Sequence, residues 1–144
     1  MSKFAKDVMT SNPQCCTAET TLDEVANLMV ENNCGEIPVV DADRKLIGVV
    51  TDRDIVCRCV AKRRDPSSCT AAECMTAPVI SAMQDTSIED MLDAMEAHQI
   101  RRMPVIDEDG RCCGIVAQAD IALSAEDADV GELVREVSRD PVHT

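Results

Sequence analysis

Gly48-Val-Val-Thr-Asp-Arg-Asp-Ile55 and Gly114-Ile-Val-Ala-Gln-Ala-Asp-Ile121 decide the fold, because they are one pattern written twice, 66 positions apart. Outward from them the register holds. Pro38, Val39 and Asp41 fall on Pro104, Val105 and Asp107, and Ala5, Met9 and Thr10 fall on Ala71, Met75 and Thr76. Self-similarity at a fixed period outranks any local pattern. Two copies of one unit are expected to pack about a pseudo-twofold axis and to leave two related clefts, with the function in those clefts.

Each copy reads as β-α-β-β-α. Residues 5–9 form a short helical lead-in, and Gln14 to Thr17 a short strand. Thr20 or Thr21 caps a helix in which Leu22, Val25, Ala26 and Met29 recur at i, i+3, i+4 and i+7. Asn32 and Asn33 stop it. Ile37 to Val40 and Leu46 to Val50 are apolar runs joined by a turn at Asp41, which predicts a hairpin. A helix capped by Thr51 or Asp52 follows, through Ile55, Val56 and Cys59. The second copy repeats this order: a lead-in at Ala71 to Met75, a strand at Val79 to Ser81, and a helix from Ser87 carrying Ile88, Met91, Leu92 and Met95. Strands at Met103 to Ile106 and Cys112 to Val116 come next, then a helix from Gln118 to Leu123. The expected fold class is therefore mixed α/β, with helices covering one face of each sheet. The division is 1–62 for the first repeat, 63–70 for a linker, 71–125 for the second repeat, and 126–144 for an acidic tail with a helix around Gly131 to Ser138.

Composition narrows the function. Hydrophobic residues make up 45% of the chain, enough for a core. One Phe, no Trp and no Tyr argue against a stacking platform for single-stranded nucleic acid. A formal charge of −13 opposes nonspecific nucleic-acid binding, which needs Lys and Arg against phosphates. The start MSKFAKDVM has no apolar core of a signal peptide, and no apolar run reaches membrane-spanning length. A cytoplasmic protein without a membrane partner is the expectation.

Nine cysteines raise a metal or redox reading, but there is no C-x-x-C pair and the only histidines are His98 and His143. No metal site is expected. Cys34, Cys57, Cys59, Cys74, Cys112 and Cys113 stand where the other copy has Ile100, Leu123, Ala125, Val8, Leu46 and Ile47, which predicts buried small hydrophobes. Cys15, Cys16 and Cys69 are unassigned by this test, and the adjacent Cys15 and Cys16 can oxidise. His98 is expected on an exposed helix end. Met29, Met91, Met95 and Met103 are expected in the core. No nucleophile, base and orienter can be assembled, so no enzyme is expected.

The combined pattern, Ile37-Pro-Val-Val-Asp41 with Gly48 to Asp54 and Met103-Pro-Val-Ile-Asp107 with Gly114 to Asp120, resembles the cystathionine-β-synthase (CBS) domain family in its paired form, the Bateman module. The resemblance covers roughly residues 5 to 125. TDRDIVCRCVA and HQIRRMPVID are similar to the small stand-alone bacterial members of the mycobacterial hypoxic-response type. The resemblance implies an adenosine-containing regulatory ligand, AMP, ADP, ATP or S-adenosylmethionine, in clefts between the repeats, and no other cofactor. It implies that Asp54 and Asp120 hold ribose hydroxyls, and that Thr51, Arg101 and Arg102 meet phosphates. It places Cys34, Pro38, Ile100 and Pro104 beside the base, with the backbone near Cys16, Thr17, Ser81 and Ala82 reading its edge. It also implies a homodimer and a protein partner that reads the bound state.

The residues carry a plainer reading as well. Thr51-x-x-Asp54 is a capping box, and Arg101 and Arg102 are two solvated cations beside Glu108 or Asp109. Asp120 recurs without a Thr, since Ala117 stands in its place, and Gly35 and Glu36 stand where the second copy has the two arginines. The sites are therefore expected to be unequal. Two other functions compete: a protein-interaction scaffold with empty, degenerate clefts, and a thiol- or metal-responsive protein using Cys15, Cys16 or Cys69.

Overall fold

Cap and turn residues mark where the two long helices begin and end. The structure, a computed structural model, describes residues 3–124. In chain order the elements are α1 (Ala5–Val8), β1 (Thr10–Ser11), α2 (Leu22–Asn32), β2 (Glu36–Val40), β3 (Leu46–Thr51), α3 (Asp52–Ile55), α4 (Ala71–Cys74), β4 (Ala82–Met83), α5 (Ile88–His98), β5 (Arg102–Ile106), β6 (Cys112–Ala117) and α6 (Gln118–Ser124). A π-helical turn at Val56–Val60 continues α3, and a 3-10 turn at Pro66–Ser68 precedes α4. Thr21 and Ser87 occupy the N-cap positions of α2 and α5, each followed by two acidic residues that suit the positive end of the helix dipole. Asn33 and Gln99 end these helices in the left-handed region, at φ 51° and 53°.

The hairpin turns repeat as well. The Asp41 carboxylate accepts the N–H groups of Asp43 (2.8 Å) and Lys45 (2.9 Å), and Asp107 accepts those of Asp109 (2.9 Å) and Arg111 (3.0 Å). Arg44 and Gly110 take the positive φ each turn requires.

The chain packs as two compact units, and neither is a single repeat of the sequence. One contains Asn12–Val79 with the turn Asp107–Cys112. The other contains, among the described residues, 3–11, Ile80–Ile106 and 113–124. Each unit therefore takes its lead-in from the other copy: α4 packs with the first copy, and α1 and β1 with the second.

The sheets show why this works. In the second unit the strand order is β1-β6-β5-β4, with Thr10 opposite Ile115 and Ala82 beside Val105. In the first unit β2 and β3 pair as an antiparallel hairpin, and the flanking strands shrink to single bridges, Thr76 to Val49 and Cys16 to Val39. Each bridge lies at the repeat equivalent of its counterpart. The mixed α/β tandem repeat is thus the same sheet built twice.

Several expectations shift. The strand read at Gln14 to Thr17 is only the Cys16 bridge. The strand read at Val79 to Ser81 lies at Ala82–Met83, while Ile80 packs on the core without pairing. β1 has no apolar run to announce it, being two exposed residues held only by the edge of β6. Cys57 is exposed, as is its counterpart Leu123 at 71%, so the correspondence between copies holds there and the burial does not. Cys34 and Cys113 are half-buried, and Cys59, Cys74 and Cys112 are buried as expected. The tail at 126–144 and its helix lie outside the described residues.

Each unit has its own core. Leu22, Val25, Met29, Ile37, Val39 and Val50 centre the first, and Ile88, Met91, Met95, Met103, Val105 and Ile121 the second. Burying each such side chain contributes about 1.5–3 kcal/mol relative to exposure. The lead-in docks where a glycine clears the strand. A Cβ on Gly48 would lie 2.5 Å from Met75 Sδ, and one on Gly114 would overlap Met9 Sδ with Met9 Cγ 2.9 Å away. Gly114→Ala is therefore expected to lower the unfolding free energy by about 1–3 kcal/mol in urea titration. The loss should shrink in a Met9→Ala background.

Candidate functional site

The strand-to-helix junction occurs once in each unit, and the two versions differ in what they hold. In the first unit β3 ends at Thr51, which caps α3. Thr51 Oγ1 accepts the Asp54 N–H at 3.0 Å, and Asp54 Oδ2 accepts the Thr51 N–H at 3.0 Å, so the capping box is closed. Asp54 is nevertheless more than a cap. Its side chain is buried, with the residue only 7% exposed. The Thr76 hydroxyl donates across both carboxylate oxygens, at 3.0 and 3.1 Å. Arg58 Nε stands 4.0 Å from Oδ1, one turn along the helix, while Arg58 Nη1 donates to the carbonyls of Cys74 (3.2 Å) and Met75 (2.8 Å). A buried carboxylate needs such partners, because a desolvated charge without them is costly.

In the second unit the same turn has half the box. Asp120 Oδ2 accepts the Ala117 N–H at 2.9 Å. The recurrence of Asp120 without a Thr therefore has a capping explanation of its own. Asp120 is half-buried rather than buried. Thr10, the repeat equivalent of Thr76, is an exposed residue of β1 paired with Ile115.

The position ahead of β2 and β5 adjoins this turn in both units. The Gly35 carbonyl accepts the Asp52 N–H at 2.9 Å, and the Arg101 carbonyl accepts the Gln118 N–H at 2.8 Å. Arg101 thus sits beside the Ala117–Asp120 turn of its own unit, exposed, with Arg102 half-buried next to it. In the first unit Gly35 adds no charge, and Glu36 is buried opposite Thr51 in the hairpin. Thr51 and Asp54 are therefore together in one unit, and Asp120, Arg101 and Arg102 in the other.

The residues read as base-lining are also split. Cys16 commits both backbone groups to β2, with its N–H on Pro38 O and its carbonyl accepting Val40 N–H, each at 2.9 Å. The Thr17 N–H donates to Thr20 Oγ1 at 3.0 Å. Pro38 and Cys34 lie in the same unit, Pro38 buried in β2 and Cys34 half-buried with its thiol toward Glu36 O. Ser81, Ala82, Ile100 and Pro104 lie in the other, with Ala82 and Pro104 buried and Ser81 and Ile100 half-buried. His98 is exposed at the end of α5. The residues missed by sequence reasoning are Thr76 and Arg58. Thr76 was visible as the repeat partner of Thr10, but its contact with Asp54 spans 22 positions and no local pattern marks it.

A family model described as CBS domain matches the chain twice, over residues 5–60 and 71–127. Hypoxic response protein 1 of Mycobacterium tuberculosis is 41% identical over 118 residues, covering 82% of this chain and 82% of that protein. A crystal structure of that protein with two coordinated zinc ions is similar with a TM-score of 0.78 at 40% identity, covering 84% of this chain and 98% of the other. The CBS domain pair of protein MJ0100, in complex with 5′-methylthioadenosine and S-adenosyl-L-methionine, gives 0.78 at 28% identity over 86% of this chain and 96% of the other. CBSX2 in complex with AMP gives 0.74 at 26% identity over 85% and 95%.

The unequal junctions should have unequal stability effects. Asp54→Ala strands the Thr51 N–H and the Thr76 hydroxyl together, so it should cost about 2–3 kcal/mol, whereas Asp120→Ala should cost about 1 kcal/mol. Urea unfolding of the two variants measures the difference.

Proposed function

Because the chain belongs to the CBS-domain family, we propose that it is a non-catalytic regulatory module that binds an adenosine-containing ligand and passes the bound state to a protein partner. The ligand is AMP, ADP, ATP or S-adenosylmethionine. The observation that carries the reading is the recurrence of an aspartate, Asp54 and Asp120, at the same strand-to-helix turn of both units. A carboxylate placed there accepts two ribose hydroxyls, and the Arg101 and Arg102 guanidiniums suit phosphate oxygens bidentately. The adenosine ligands held by MJ0100 and CBSX2 support the same ligand class.

Binding at Asp54 would exchange one hydroxyl for another. The Thr76 hydroxyl occupies the carboxylate now, and a ribose would replace it. Thr76 is also backbone-paired to Val49 and follows α4 closely. Its release would loosen the hold of the first unit on the lead-in, which gives the ligand a two-state element to bias. A second copy of this chain, a protein partner and a cytoplasmic location complete the proposal. The exposed Val56, Val60 and Leu123 supply apolar surface for association. Among the described residues no helix is long and apolar enough to cross a membrane. No group of three or more His, Cys, Asp or Glu side chains comes together among them as a metal site.

A scaffold that binds protein and no nucleotide is the second reading. It is favoured by the saturation of Asp54 and of the Cys16 backbone by the chain's own groups.

Thermal melting of the reduced protein against AMP, ADP, ATP and S-adenosylmethionine separates the two. The proposal expects selective stabilisation by at least one of them, reaching about 2.7 kcal/mol at a hundredfold excess over Kd. Asp54→Ala should weaken that ligand more than Asp120→Ala. Arg101→Ala should weaken phosphate-bearing ligands about tenfold or more and leave S-adenosylmethionine unchanged. No shift with any of the four at millimolar concentration supports the scaffold instead.

A further inference from the structure

Two surface cavities meet at Cys15. One, of about 480 Å3, is lined by the segment Asn12 to Thr17 and by the β2–β3 turn, including Asp41 and Arg44. The other, of about 370 Å3, opens along α2 past Glu24 and Leu28. Both share Cys16 with the base-lining set, and the first Thr17 as well, but none of Thr51, Asp54, Arg101, Arg102 or Asp120 lines either.

The adjacent thiols have opposite fates because successive side chains along an extended backbone point to opposite faces. Cys16 points into the core, 5% exposed, and its thiol is pushed up to about 12, chiefly by burial. Cys59 and Cys74 are raised by burial too. Cys15 faces the cavities and is half-buried. Its thiol donates to the Pro13 carbonyl at 3.3 Å, Arg44 Nη2 donates to its sulfur at 3.9 Å, and the Cys112 side chain hydrogen-bonds it. Cys112 is held there by its own backbone, whose N–H donates to Arg44 O at 3.0 Å, and is 3% exposed. The Cys112 hydrogen bond and then the Arg44 charge outweigh burial and hold Cys15 down to about 7. An accessible thiol, a cation and a second, shielded thiol therefore converge from three separate segments of one unit.

We propose that Cys15 and Cys112 form a redox dithiol whose substrate is a small-molecule disulfide of the glutathione class. The Cys15 thiolate attacks one sulfur of RSSR. The S–S bond breaks, a mixed disulfide Cys15–S–S–R forms, and RS⁻ leaves to take a proton from water. The Cys112 thiol then attacks the Cys15 sulfur, the second thiol leaves as RSH with the Cys112 proton, and a Cys15–Cys112 bridge remains. Two protein thiols are oxidised and one RSSR is reduced to two RSH. The bridge ties the segment before α2 to the turn at 107–112. The Cys15–Cys16 pairing suggested by adjacency is disfavoured, since Cys16 is committed to β2 and its thiol is shielded.

The test incubates the reduced full chain with oxidised glutathione near neutral pH, quenches by alkylation, and maps the products by mass spectrometry. The wild type should lose two hydrogens and yield one Cys15–Cys112 cross-linked peptide. Cys112→Ser, which keeps a hydrogen-bond donor, should stop at one glutathione on Cys15, and Cys15→Ser should yield neither product. With Cys15 held down to about 7, about half of it is ionised at neutral pH against about 3% of an ordinary thiol; with its lower intrinsic nucleophilicity, Cys15 should react about three-fold faster than an unperturbed cysteine. Arg44→Gln should remove part of that advantage. Glutathione found on Cys57 with Cys15 still free to alkylate, or a mixed disulfide on Cys15 that persists in the wild type, overturns the proposal. Should Cys112→Ser fail to fold, the pH profile of Cys15 alkylation in the wild type decides. A midpoint near 7 supports the dithiol, and one near 9 overturns it.

Discussion

A methionine lying against a glycine is the contact on which both units depend. Met75 fits over Gly48 and Met9 over Gly114, with no room for a Cβ beneath either side chain. That close approach lets the lead-in of one copy join the sheet of the other, Thr76 to Val49 and Thr10 to Ile115. In the first unit a further consequence follows. With Met75 seated, Thr76 comes within hydrogen-bond distance of Asp54, and Arg58 reaches the carbonyls of Cys74 and Met75. The lead-in, the helix cap and the candidate ribose acceptor are thus one connected network.

The two copies have divided the polar work between them. The first unit has the hydroxyl and the buried carboxylate, Thr51 and Asp54, with Gly35 and a buried Glu36 ahead of β2. The second has a half-buried Asp120 and two arginines, with an alanine at the cap. The hairpin turns and the flanking bridges repeat position by position, while the caps differ. The differences fall where a ligand with a neutral sugar and a charged phosphate would make different demands.

Much of this was legible because duplication makes two noisy patterns into one clear one. The helices from Leu22 and Ile88 show their apolar spacing within a few residues, and the hairpin turns at Asp41 and Asp107 rest on contacts of the same range. The exchange of lead-ins did not show, since it depends on packing between segments far apart in the chain, and a Met-Thr pair looks the same whichever sheet it joins. The role of Thr76 was hidden for the same reason. β1 and β4, two residues each, were below what alternation can reveal. The cysteine correspondence predicted core positions well at Cys59, Cys74 and Cys112. It failed at Cys57, because the equivalent leucine is itself exposed. That correspondence says nothing of Cys15, whose surroundings come from Arg44 and Cys112, which only the fold brings together.

On the proposed function, adenosine ligands act at the two strand-to-helix turns. Amide hydrogen exchange with and without AMP tests it most directly, because it locates the effect as well as detecting it. The expected result is added protection confined to the turns at residues 48–55 and 114–121 and to the approach to Arg101, with faster exchange at Thr76 as its hydroxyl is displaced. Unchanged exchange at both turns under saturating AMP, or protection only elsewhere in the chain, would contradict it.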